Sequence, residues 1–254
     1  MRIEHLGQSG FLINHQNQYI LIDPYLSNSV EILDSKDLVR KIPIPYKPEN
    51  LKNINWILLT HEHIDHCDPH TIPVLAKGNP NAKFIGPEPV RNILKKWNIN
   101  PSNIVKLSDG EINLGDNIKI LPVPSSHPKL LLSNDGYPIT VGWIIDNNKT
   151  RVYIAGDTNI SEQLINFLKK VPQIDIAILP VNEDNFFRRR RGIIGNMSIR
   201  EAFGLTDELN IKQLFPVHWD MFEINSALPE EIDIIYNSYQ WKFKLIKNIS
   251  RLKF

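Results

Sequence analysis

The strongest constraint in this chain is a junction. The run Trp56-Ile57-Leu58-Leu59-Thr60 is continuously apolar up to its last residue, and His61-Glu62-His63-Ile64-Asp65-His66 follows at once. A short apolar run without alternation suits a strand buried on both faces, as in a sheet covered by helices. The histidines therefore begin where a buried strand ends. His61 and His63 are two residues apart, so an extended backbone sends both imidazoles the same way. Asp65 and His66 follow on the turn. One stretch can thus offer two nitrogens to one cation, then a carboxylate and a nitrogen to another. Imidazole with carboxylate suits zinc, manganese or iron. The plain alternative is a surface histidine cluster, but such clusters do not usually sit straight after a fully apolar strand.

The rest of the chain alternates short apolar strands with helices of about ten residues. Residues 10–14 and 19–23 flank a polar turn and predict a hairpin. Residues 26–53, with prolines at 43, 45 and 48, predict a long loop containing at most one helical turn. Asp68, Pro69 and Gly78 predict a capped helix between them. Further helices are expected over 88–97, 161–170 and 198–209, the last opened by the capping box Ser198-Ile199-Arg200-Glu201. Strands are expected near 84–86, 104–107, 117–123, 139–145, 151–155, 174–180 and 211–217. No linker divides the 254 residues, so the reading is a single α/β domain over 1–254, made of two similar halves, roughly 1–120 and 121–254. Helices should cover the outer faces of the sheets.

A metal centre needs more donors than one stretch can direct at a point. In open α/β sheets function gathers at the carboxyl ends of strands, and three further residues stand there. His127 follows the strand ending Leu121-Pro122-Val123-Pro124. Asp157 follows Val152-Tyr153-Ile154-Ala155-Gly156, where glycine permits close backbone approach. His218 follows Leu214-Phe215-Pro216-Val217. Each alone also reads as a hydrogen-bonded core or turn residue.

Together these motifs carry a resemblance. Thr60-His61-Glu62-His63-Ile64-Asp65-His66 resembles the HxHxDH signature of the metallo-β-lactamase fold. His127, Ala155-Gly156-Asp157-Thr158 and His218 resemble its later metal motifs, in the usual order. Within that superfamily, Gly195-Asn196-Met197-Ser198 and Phe215-Pro216-Val217-His218-Trp219-Asp220-Met221-Phe222 resemble the L-ascorbate-6-phosphate lactonase group. The resemblance implies a four-layer αβ/βα sandwich of two mixed β-sheets, with the metal site at strand ends. It implies that His61, His63 and His127 hold one divalent ion, that Asp65, His66 and His218 hold a second, and that Asp157 bridges them. Two ions so placed would activate a water for hydrolysis, with Asp65 as the catalytic residue that orients it. Asp23, ending Tyr19-Ile20-Leu21-Ile22, resembles the aspartate that the superfamily carries at this strand end and would orient a ligand histidine; the alternative is a turn residue. Thr60 and Asp220 are weaker candidates for the same task. Asp68 is assigned to helix capping, Cys67 to helix entry, and His5, His15 and His70 to ordinary roles.

Charge narrows the substrate class. The formal net charge is +1, which makes no electrostatic case for nucleic acid or a membrane surface. No run approaches the roughly 18–20 apolar residues of a membrane span. The first residues lack the apolar stretch of a secretory signal, and Cys67 is the one cysteine. A cytoplasmic location is the expectation. Arg188-Arg189-Arg190-Arg191 is the sharpest local charge, after Val181 to Phe187, and four guanidinium groups there can clamp a phosphate or carboxylate. A solvated loop or a contact in a homo-oligomer is the competing reading. Phe186, Phe187, Trp219 and Met221 are candidate pocket walls, with Trp219 and the arginines counted as substrate-binding. The expected activity is a lactonase acting on a phosphorylated or otherwise anionic sugar lactone. A phosphodiesterase acting on nucleotides, RNA or phospholipids is the alternative, and a metal-stabilised binding protein without turnover the third reading.

Overall fold

The computed structural model describes residues 1–247 and the backbone of 252–253. The chain first lays down β1 (Arg2–Gly7), β2 (Gly10–His15), β3 (Gln18–Ile22), β4 (Trp56–Leu58), β5 (Lys83–Ile85) and β6 (Ile104–Val105) in one sheet. It then builds a second sheet from β7 (Ile112–Gly115), β8 (Ile118–Pro124), β9 (Val141–Asp146), β10 (Arg151–Ile154), β11 (Ile176–Pro180), β12 (Gln213–Val217) and β13 (Lys244–Leu245). β14 (Leu252–Lys253) returns to pair antiparallel with β1. Both sheets follow one plan. An antiparallel meander, β1 to β3 or β7 to β10, is followed by parallel strands, β4 to β6 or β11 to β13.

The chain changes sheet between Val105 and Ile112, earlier than the expected division near residue 120. The reason is local. Asp116 and Asn117 both adopt positive φ, 48° and 61°, which lets a two-residue turn fold β7 back on β8. β7 is four residues long and shows too little alternation to announce itself.

Period-two alternation builds the layers. Ile176 and Ile178 of β11 face the first sheet, with Trp143, Val152 and Ile154 from the neighbouring strands. Ile20, Ile22, Leu58 and Ile85 meet them from the other side. Each fully buried side chain of this kind contributes roughly 1.5–3 kcal/mol of transfer free energy before entropy is counted. The intervening residues face outward. Ala177, Leu179 and Leu214 pack under α4 (Glu162–Leu168) and α6 (Ile199–Glu208), while Leu21, Ile57 and Phe84 pack under α2 (Ile72–Gly78) and α3 (Glu88–Lys96). Helix, sheet, sheet, helix is the observed order, the sandwich expected of this sequence. No helix among the described residues is long and apolar enough to cross a membrane.

Some local expectations are corrected. Asp68 does not cap α2, which starts at Ile72 with Thr71 as its cap residue. Its carboxylate is taken instead by the hydroxyls of Ser27 and Thr71 and by the His70 N–H, tying the 26–29 loop to this turn. Gly78 is the last residue of α2 rather than its cap. The capping box at Ser198 is present as read, with both reciprocal bonds made. α1 (Ser29–Leu33) lies within the 26–53 loop, and two further helices gave no clear signal, the single turn α5 (Phe186–Arg189) and the later α7 (Pro229–Asn237).

Candidate metal centre

Alternate strands of a meander and successive parallel strands all point their carboxyl ends to the same edge. β1, β3, β4, β8, β10 and β12 do so here, and Gln8, Asp23, His61, His127, Asp157 and His218 follow them within a few residues. The sheets are stitched at this edge, where the Val141 N–H donates to the Thr60 carbonyl at 3.0 Å. Gly156 makes the close approach possible. Its φ is +61°, and a Cβ there would lie 2.7 Å from Cγ2 of Thr60. No larger residue fits.

The seven expected donors converge. His61, His63, His127 and Asp157 bring one donor atom each to within 4.8 Å of one another, and Asp65, His66 and His218 form a second such group. Asp157 faces both. Its Oδ2 lies 3.5 Å from His127 Nε2, while Oδ1 lies 3.3 Å from His66 Nε2 and 3.2 Å from His218 Nε2. His218 Nε2 is also 3.2 Å from Asp65 Oδ2. His61, His66, His127, Asp157 and His218 are buried. His218 holds φ +62° and Asp23 φ +41°, left-handed conformations that non-glycine residues adopt at a cost of order 1–3 kcal/mol.

Electrostatics pull the histidines of the two groups in opposite directions. Burial pushes His127 down to about 4 and, with the neighbouring His66 and His63, pushes His61 well down, which favours the neutral imidazole at both. Burial alone would lower His66, yet Asp157, Asp65 and Asp23 outweigh it and raise it well above the ordinary histidine value. Burial would raise Asp157, but His218 and His66 overcome this and hold its carboxyl well below the usual range.

A cation fits this donor set. Both ring nitrogens of His127 and Oδ1 of Asp157 are buried without a hydrogen-bond partner, a state that costs roughly 1–3 kcal/mol per group. His61 Nε2 and His63 Nδ1 face each other at 3.0 Å, and His66 Nε2 and His218 Nε2 at 3.4 Å. Opposed imidazole nitrogens at buried positions are the arrangement a divalent ion satisfies.

Asp23 stands behind the cluster. Its Oδ1 accepts from the Thr60 N–H at 2.8 Å and its Oδ2 from the Thr60 hydroxyl at 2.6 Å, while His66 Nδ1 lies 2.7 Å from Oδ2. That contact leaves Nε2 of His66 as the donor atom facing the site. Cys67 is buried, which pushes its thiol well up, and it packs in the apolar layer beneath α2. Asp220 makes no contact with the seven donors among the described hydrogen bonds and ion pairs.

The arginine run is split, which corrects the four-arginine clamp. Only Arg191 lines the cavity over the donors, a space of about 560 Å³ whose apolar wall includes Ile64, Ile193 and Phe222. Arg188 turns away to the carbonyls of Glu183 and Ser226, Arg189 pairs with Asp184, and Arg190 lies 5.8 Å over the Phe186 ring. The cause is the helical turn Phe186–Arg189, capped by Asn185, which points successive side chains about 100° apart. Phe186 and Phe187 are exposed, outside the cavity. Trp219 is not a wall either. Its indole N–H donates to the Pro216 carbonyl at 3.2 Å and its ring packs towards α6 and α7 (Pro229–Asn237). Met221 is buried beneath Tyr25 and Phe222.

One site residue was not read from the sequence. Gln8, on the turn between β1 and β2, is buried and places its Nε2 2.7 Å from Asp65 Oδ2 and 2.9 Å from His218 Nε2. Its signal was the polar pair Gln8-Ser9 between two glycines at the end of a strand.

A sequence model of the beta-lactamase superfamily domain matches residues 18–219. A metal-dependent hydrolase of Nanoarchaeum equitans is 29% identical over 234 residues, covering 91% of this chain and 89% of the relative. Among solved structures, a metallo hydrolase from the hyperthermophilic archaeon Ignicoccus hospitalis superposes with a TM-score of 0.72 at 19% identity, over 100% of this chain and 98% of its own. The isothiocyanate hydrolase from Delia radicum gut bacteria gives 0.75 at 17% identity, over 100% and 99%. The diiron β-hydroxylase CmlA from Streptomyces venezuelae gives 0.67 at 14% identity, over 99% of this chain and 53% of its own.

Proposed function

This chain belongs to the metallo-β-lactamase superfamily, and we propose that it is a metal-dependent hydrolase whose substrate is a lactone carrying one anionic group. The observation that carries the reading is the pair of donor groups sharing Asp157 at the floor of the 560 Å³ cavity, with Arg191 at its wall. His61, His63 and His127 would hold one divalent ion, Asp65, His66 and His218 the other, with Asp157 between them. Zinc or manganese suits these donors, and iron also fits. Ions held there supply Lewis-acid activation of water and of the ester carbonyl.

The chain's own residues do the rest. Asp65 edges the cavity beside His218, where its carboxylate orients the attacking water and draws on its proton. Arg191 makes no described hydrogen bond or ion pair through its guanidinium, so its donors are free for a carboxylate or phosphate. Ile64, Ile193 and Phe222 shield the reacting ester from bulk water, which strengthens electrostatic contacts inside. One free guanidinium, rather than four, favours a small ester with a single anionic group over a polyanionic chain.

Parallel assays with a sugar-phosphate lactone, a neutral lactone and bis-p-nitrophenyl phosphate test this. The anionic lactone should turn over fastest, and dialysis against a chelator should abolish the activity until a divalent ion is restored. Faster cleavage of the phosphodiester would replace the lactonase reading with a phosphodiesterase. Undiminished turnover after chelation would remove the metal from the reaction.

A further inference from the structure

Gln8 has no task in the account above, yet its position is costly. It sits at φ +53° on the turn after β1, in the left-handed region that side chains rarely adopt. It is 1% exposed. Its Oε1 is buried with no hydrogen-bond partner, while its Nε2 lies within 2.9 Å of donor atoms on both Asp65 and His218. A buried glutamine that leaves its carbonyl unsatisfied loses roughly 1–3 kcal/mol. A surface turn would accommodate the same residue at no such cost.

The two ends of a carboxamide are nearly equal in size, so a half-turn about its last bond exchanges them without disturbing the packing. Its orientation follows the charge it faces. Toward the Asp65 carboxylate, with His218 alongside it, the NH2 end is favoured. Toward a cation held by those same two atoms, N–H hydrogens are repelled and the carbonyl oxygen is attracted. We propose that Gln8 is a further metal ligand, its carbonyl oxygen completing the Asp65, His66 and His218 position. Among the described residues no amide side chain hydrogen-bonds to His61, His63 or His127, so the assignment concerns one of the two positions only. It rests on the two-ion reading of the site.

The test is calorimetric titration of the metal-free chain with zinc alone, with circular dichroism to establish folding. The parent chain should take up two ions. Gln8→Leu should bind one ion unchanged and the other roughly ten- to a hundredfold more weakly. Gln8→Glu restores an oxygen donor and should bind both at least as well as the parent. Gln8→Asn, too short to reach, should follow Gln8→Leu and serves if the leucine variant does not fold. The proposal is overturned if Gln8→Leu binds both ions normally, or if the parent takes up only one. It is equally overturned if Gln8→Glu is as weak as Gln8→Leu, since Gln8 would then act by donating its N–H to Asp65. Two-ion uptake by a chain inactive on every lactone would instead sink the lactonase reading and leave the ligand assignment standing.

Discussion

The first sheet delivers four of the seven donors from a single six-residue stretch after β4, whereas the second delivers three from the ends of β8, β10 and β12. The difference is one of range. Within His61 to His66 the donors are placed by bond geometry and one turn, and Asp23 from the neighbouring β3 locks Thr60 and His66 behind them. His127, Asp157 and His218 are placed by the register of a sheet, and they meet the first group only because both sheets pack at the same edge. Support is unequal too. His66 is braced by a hydrogen-bonding carboxylate, while both ring nitrogens of His127 lack a hydrogen-bond partner among the described residues. The first half therefore preforms its part of the centre, and the second half waits for the ion to complete its part.

Asp157→Asn should break this comparison most completely. One oxygen of Asp157 faces each donor group, and each group draws from both sheets, so its loss uncouples the two positions. We expect no measurable hydrolysis and loss of tight binding at both positions, read as metal content after gel filtration. A variant that still carries two ions would show that each position holds its ion without the shared carboxylate.

Asp23→Asn should have a smaller, one-sided effect. The Thr60 contacts are partly retained, but the carboxylate that orients His66 is gone, and metal affinity should fall roughly ten- to a hundredfold. The loss should appear at one of the two positions, the one that His66 serves. An equal loss at both positions would mean that Asp23 supports the edge as a whole. Mild weakening of both positions together would count against preformation.

The smallest effect sharpens a contrast within the arginine run. Arg191→Ala should raise KM for an anionic lactone roughly three- to tenfold, with kcat little changed, because the side chain is exposed and solvent screens it. Arg189→Ala, at the Asp184 pair, should leave KM within about twofold, as exposed ion pairs contribute little. Steady-state kinetics on anionic and neutral lactones separate the two. Equal effects of Arg191→Ala on both substrates would argue against charge recognition.

Much of this was legible because it is periodic or local. The continuous apolar runs of β4 and of β9 to β12 and the capping box at Ser198 each carry their own signal in adjacent residues. The cap assigned to Asp68 failed because a distant hydroxyl, on Ser27, competes for the same carboxylate. The arginine clamp failed because the run leaves a single helical turn and its side chains diverge, so that Arg188 and Arg189 take nearby acceptors, Arg190 lies over Phe186 and Arg191 alone reaches the cavity. Gln8 was missed because a single glutamine in a turn has no periodicity and no charge. Its meaning comes from Asp65, 57 positions away, and His218, 210 away.

By itself the sequence determined the order of strands and helices, the donor types, and the fact that each follows an apolar strand. Those properties are set by a residue and its near neighbours, through side-chain chemistry and backbone preference. The tertiary structure decided what faces what. It set the two oxygens of Asp157 against different groups, put one arginine of four over the cavity, and brought Gln8 to the donors from the other end of the chain. Such facts depend on how two twisted sheets pack, and packing is determined by the whole core at once rather than by any stretch of it.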